Sequence, residues 1–75
     1  MKYNERIKEI RKKHNLTQQQ FAELLETTQQ AYLKYEKGVN EIPVRRIIKI
    51  CKHFNLSADY VLGLSDKPHF LNSDK

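Results

Sequence analysis

Glycine and proline are scarce in this 75-residue chain, two of each, and cysteine occurs once. With so few turn formers, no Asn-Gly or Asp-Gly pair and no alternating apolar pattern, a hairpin-rich β architecture is excluded and the chain reads as all-α. The lone Cys51, in "IIKICKHF", excludes an intrachain disulfide framework and a multi-cysteine zinc site, and reads as a small buried thiol. No apolar run approaches the length of a membrane span, and the N-terminal "MKYNERIKEI" has no signal-peptide core, so a cytoplasmic protein is expected. The histidines His14, His53 and His69 are scattered, and neither an HExxH motif, a glycine-rich phosphate loop nor an acid pair is present. No enzyme, metal or cofactor is therefore expected, and no small-molecule ligand.

Acidic residues are also few, 9 against 14 Lys and Arg, for a formal charge of +5. A chain this short makes one domain, burying about 60% of its unfolded surface, too little for an elaborate buried active site. The sequence pI near 9.5 lies in the range of nucleic-acid-binding domains. The charge is unevenly spread. Residues 1–16 and 37–54 each carry a net +4, whereas 17–36 carry −2 and 55–75 carry −1. Two basic blocks thus bracket a glutamine-rich centre, as expected where phosphates are gripped on both sides of something read by neutral hydrogen bonding.

Caps and periodicity define five helices. The first is expected over about Asn4 to His14, with Asn4 as N-cap, Tyr3, Ile7, Ile10 and His14 inward, and Arg6, Lys8, Arg11, Lys12 and Lys13 on the other faces. The second opens on Thr17, with Gln20 completing a capping box and Leu16 placed as a staple to Phe21, and buries Phe21, Ala22 and Leu25. The third is capped by Thr28, buries Tyr32 and Tyr35 and stops at Gly38. A connection of only Glu26 to Thr28 does not suit antiparallel helices; the two must cross steeply, as in a helix-turn-helix. Pro43 is expected in the first turn of a fourth helix running to Phe54, with Val44, Ile47, Ile48, Cys51 and Phe54 inward and Asn55 as left-handed terminator. Ser57 caps a short fifth helix ended by Gly63. Residues 1–66 form the expected domain, and 67–75 a polar, flexible tail.

The stretch from Arg6 to Asp66 resembles the phage-repressor or Cro/cI type of helix-turn-helix DNA-binding domain. The resemblance rests on "LTQ" opening helix two, Ala22 five positions into the two-helix unit, "YEKG" ending helix three, Pro43 opening helix four and "LSADYVLGLSD" closing the domain. It implies a five-helix lambda-repressor-like fold and a transcriptional regulator, a repressor, that binds double-stranded DNA as a homodimer on a pseudo-palindrome. A bacterial or phage-encoded, nucleoid-associated protein is implied with it. Helix three then enters the major groove, with Thr28, Gln29, Gln30 and Lys34 on the base-reading side. Glutamine bonds adenine through N6 and N7, so A/T-containing contacts are expected. By the same resemblance Gln18, Lys37, Asn40 and Arg45 meet phosphates, with Arg46 and Lys13 as further candidates. Arg11 pairs with Glu36, and Tyr60, Val61 and Leu64, with Phe70 and Leu71, form the dimer interface.

Two departures stand out. The family usually has glycine where this chain has Glu26, which predicts either about 1 kcal/mol of strain or a wider turn. The loop "VNEIP" is weakly basic, and Glu41 would repel phosphates, so non-specific affinity is expected to be modest and salt-sensitive. The alternative from a different class is a protein-interaction module, an antitoxin or antirepressor, that sequesters a partner protein.

Overall fold

A computed structural model describes residues 1–69; Phe70 and Leu71 of the expected dimer interface lie outside them. The elements are α1 (Tyr3–Lys13), α2 (Gln18–Leu24), α3 (Gln29–Glu36), α4 (Val44–Phe54) and α5 (Ala58–Val61). There is no strand among the described residues.

The expected caps form. Thr17 and Gln20 make a reciprocal capping box, with Gln20 N donating to Thr17 Oγ1 (3.0 Å) and Thr17 N to Gln20 Oε1 (2.9 Å). Thr28 accepts from Ala31 N and Ser57 from Tyr60 N. Asn4 does not cap α1, whose N-cap is Lys2 with no side-chain bond. The Asn4 amide instead donates to the Glu36 carbonyl (3.2 Å), so it closes the end of α3 rather than the start of its own helix.

Every helix stops on a left-handed residue, although only Gly38 and Gly63 are glycines. Asn15, Glu26 and Asn55 take the other three positions at φ 57°, 62° and 56°. Asparagine tolerates this conformation because its short side chain bonds locally; glutamate has no such advantage. The turn at Glu26 is accordingly not widened. Thr27 N still bonds Ala22 O (2.9 Å) and Glu26 N bonds Glu23 O (3.0 Å), the two hydrogen bonds of a tight helix end.

The core lies where α1, α2, α3 and α4 converge. Phe21 is wholly buried between Tyr32 and Phe54, at 5.1 Å and 5.8 Å between ring centres, the latter pair nearly parallel. Ala22 is fully buried at the α2–α3 crossing, where a larger side chain would force the helices apart. Helix α4 is rotated from the expected register. Pro43 sits just before it as N-cap, Ile47 and Ile50 are buried, and Val44 and Ile48 are 73% and 47% exposed. The cause is helical geometry: the row through Ile47, Ile50 and Phe54 faces the core, and Ile48 lies about 100° round from it. Cys51 is half-buried against the core, and burial pushes its thiol pKa up.

Arg6, expected on an outer face, is 2% exposed. Its guanidinium lies 3.9 Å over the Tyr60 ring and donates to Tyr60 O (2.6 Å) and Ser65 O (3.2 Å), and to Asp66 at 3.3 Å. One arginine thus bonds a carbonyl in the last turn of the four-residue α5 and another just beyond it, while its flat face packs on the Tyr60 ring. Arg46 does the same for α2, donating to Leu25 O (3.1 Å) and Glu26 O (3.4 Å), so it is committed to the α2–α3 turn.

Glu26→Gly should raise the unfolding free energy by about 0.5–1 kcal/mol, because relief of left-handed strain exceeds loss of the exposed Glu26–Lys49 ion pair. Urea denaturation checks this; a lower midpoint would show that the turn is unstrained.

Candidate nucleic-acid interface

Helix α3 divides into two faces. Tyr32, Tyr35 and Glu36 are buried, whereas Gln29, Gln30, Lys34 and Lys37 are exposed. The Thr28 hydroxyl is used as cap, leaving its methyl free. The two glutamine amides and two ammonium groups therefore share one outward side, and the Phe21–Tyr32 contact beneath them holds the helix from behind. Asn40 and Arg45 are exposed on the α3–α4 loop and the first turn of α4; Lys13 is exposed at the end of α1. Arg45 borders a shallow depression with Ile48, Lys49, Lys52 and His53.

Behind this face lies a charged cluster. Glu36, 8% exposed, accepts from Arg11 Nε (2.6 Å) and Nη2 (3.4 Å), from the Tyr32 hydroxyl, and from Gln18 Nε2 (3.2 Å). Arg11 also donates to Leu16 O (2.9 Å), reaching the α1–α2 connection. One carboxylate thus ties α1, α2 and α3, and among the described residues no buried side-chain nitrogen or oxygen lacks a partner. Burial alone would raise the Glu36 pKa, but the hydrogen bonds from Arg11, Tyr32 and Gln18 outweigh it and hold the carboxyl below its ordinary 4.5. Burial, then the bond to Glu36, pushes the Tyr32 hydroxyl well above its ordinary 10.0. The hydrogen bond to Glu36 raises Arg11 further.

The expected dimer residues divide. Val61 is fully buried and Tyr60 is 7% exposed, so both side chains are spent in the core of their own protomer, under Arg6 and against α4. Leu64 is 76% exposed and Leu62 37%. Four residues of helix offer one inward face, and Tyr60 and Val61 occupy it.

Three residues organise the site in roles the sequence did not give them: Asn4, expected as an N-cap, Arg6, expected on an outer face, and Arg46, expected as a further phosphate candidate. Arg6 alone left a signal, since it lies three residues after Tyr3 and four before Ile10, on the apolar side of α1. No group of His, Cys, Asp and Glu suited to a metal exists among the described residues, and no helix there is long and apolar enough to cross a membrane.

The family model described as helix-turn-helix matches residues 7–61, from within α1 to the end of α5. The chain belongs to the Cro/cI-type helix-turn-helix family. This helix-turn-helix domain is 33% identical over 66 residues to the uncharacterized HTH-type transcriptional regulator YobD of Bacillus subtilis, covering 88% of this chain and 59% of that one. It is 36% identical over 74 residues to YqaE, another HTH-type transcriptional regulator of that organism, covering 97% and 64%. It also shares 35% identity over 57 residues with the antitoxin PezA of Streptococcus pneumoniae, covering 76% and 36%. In structure it matches a transcriptional regulator from Listeria innocua with a TM-score of 0.80 at 26% identity, covering 88% of this chain and 62% of that one. The chain spans about three fifths of the length of the two Bacillus relatives.

Two outcomes follow from the cluster. Arg11→Met leaves a buried carboxylate without its cation and should cost about 3–5 kcal/mol in urea denaturation. Stability should also be level between pH 4.5 and 10.0 as far as this cluster is concerned. The depressed Glu36 pKa means that its contribution is present above 4.5 and lost as pH falls through the lower folded value. The raised Tyr32 pKa means that its contribution is present below 10.0 and lost on going higher. Glu36→Gln should flatten the acid limb and Tyr32→Phe the alkaline one; unchanged limbs would remove the cluster from the pH dependence.

Proposed function

We propose that this chain binds double-stranded DNA sequence-specifically as a transcriptional regulator, a repressor, by placing α3 in the major groove. The observation that carries the reading is the outward side of α3: Gln29 and Gln30 are exposed, face away from the core and stand beside Lys34 and Lys37. Neutral amides able to bond adenine at N6 and N7 supply base choice, and the flanking cations supply attraction that is blind to sequence. Lys37, Asn40 and Arg45 meet phosphates on one flank. Gln18 meets one on the other, through the N–H of its amide that Glu36 leaves free.

One domain reads few base pairs, so the working unit is a homodimer on a pseudo-palindrome. Since Tyr60 and Val61 are buried, its contact falls to Leu62 and Leu64, just after α5. The site of action is the bacterial cytoplasm, on the nucleoid. Sequestration of a protein partner is the second reading, favoured by the likeness to the antitoxin PezA.

Selection of bound duplexes from random DNA tests the reading and returns site, symmetry and spacing. An A/T-containing palindrome with steep salt dependence is expected; no enrichment at low salt, with a protein partner co-purifying, favours sequestration. On the selected site, Gln29→Ala should lose about 1–3 kcal/mol of discrimination at one base pair. Lys37→Ala should instead weaken all sequences alike and lower the salt slope by about 1. An unchanged preference in Gln29→Ala would remove that residue from base reading.

A further inference from the structure

At 3.6 residues per turn, Gln29, Gln30, Leu33 and Lys34 of α3, with its C-cap Lys37, share an arc of about 140° that excludes the buried Tyr32, Tyr35 and Glu36. Leu33 is the one large apolar side chain in that arc. It is half-buried but does not pack on the core, unlike Leu16, Leu24, Phe54 and Leu56, which are half-buried because they do. It stands one turn on from Gln29 and Gln30, between them and Lys37. The major groove offers an apolar side chain one sequence-specific partner, the 5-methyl group of thymine. An adenine read by a glutamine always brings its paired thymine, methyl outward, into the same groove.

We propose that Leu33 is a specificity-determining residue that packs on the 5-methyl group of a thymine beside an adenine read by Gln29 or Gln30; this rests on the DNA-binding reading above. The two amides alone recognise adenine hydrogen bonds. Leu33 adds discrimination against any pyrimidine without the methyl, and disfavours the polar amino group that cytosine presents at that edge.

The test uses the duplex selected by the wild-type protein, with each thymine replaced in turn by deoxyuridine, which removes the methyl and keeps the pairing. The wild-type protein should lose about fourfold in affinity at one such position, the worth of one buried methyl group. Leu33→Ala should bind the thymine and deoxyuridine duplexes alike at that position and keep any loss at thymines met by the Thr28 methyl. Alanine suits a helix and the core is untouched, so the thermal midpoint should stay close to wild type, which shows that the loss is local. A deoxyuridine sensitivity that persists at every position in Leu33→Ala, or a wild-type protein indifferent to every thymine methyl, overturns the inference while DNA binding stands. Failure of the wild-type protein to select any duplex overturns the DNA-binding reading and this inference with it.

Discussion

The structure depends on one buried carboxylate. Glu36 closes α3 and receives donors from three helices: Arg11 of α1, Gln18 of α2 and Tyr32 of its own α3. In a domain of this size the apolar core is thin, and three short helices packed by contact alone can slide past one another at little cost. A carboxylate that must be fully satisfied permits one arrangement, because any slippage leaves a charge buried without partners. The cluster therefore fixes the angle between α2 and α3, on which a helix-turn-helix depends, more than it adds to net stability.

A second constraint is the shortage of glycine. Five tight helix ends are made with two glycines, and the remaining three fall on two asparagines and one glutamate. Asn15 and Asn55 are residues that tolerate this conformation. Glu26 is held from outside, by Arg46 on the carbonyls of Leu25 and Glu26 and by Lys49 on its carboxylate at 3.1 Å. Helix α4 thus props the turn of the two-helix unit, and part of the second basic block that the sequence displays is consumed in structure. The count of lysines and arginines overstates the charge free to meet a phosphate, by Arg6, Arg11 and Arg46 at least.

What was legible in the sequence was local. Thr17, Thr28 and Ser57 announce helix starts because a cap and its target are three residues apart, and Gly38 and Gly63 mark ends for the same reason. The short α2–α3 connection fixed the motif, and the register of α3 placed Gln29 and Gln30 outward once Tyr32 and Tyr35 were taken as core. The rest depended on distant partners. Arg6 bonds a carbonyl 54 residues away and Asn4 one 32 residues away; the spacing of Arg6 from Tyr3 and Ile10 marks an inward side but not the partner, and Asn4 has no such mark. The rotation of α4 was hidden because Val44, Ile47, Ile48 and Ile50 are equally apolar, so periodicity alone admits two faces. Tyr60 and Val61 sit in a short helix whose apolar residues suit either an interface or the core, and only the packing of α5 shows that they are buried.

The placement of charge on α3 joins these points. Its only acidic residue, Glu36, is turned inward and neutralised by Arg11, while its cations are turned outward. Had Glu36 been exposed, its charge beside Lys34 and Lys37 would repel an incoming polyanion over roughly the 8–10 Å that salt leaves unscreened. Burying it alone was not open to the chain, since a lone carboxylate away from water neutralises by taking a proton. Pairing it with Arg11 settles both matters: the helix keeps an inward anchor, and its outer side is left to neutral amides, one leucine and two cations. The carboxylate that ties α2 to α3 through Gln18 is therefore the same one whose pairing with Arg11 clears the outward face of negative charge.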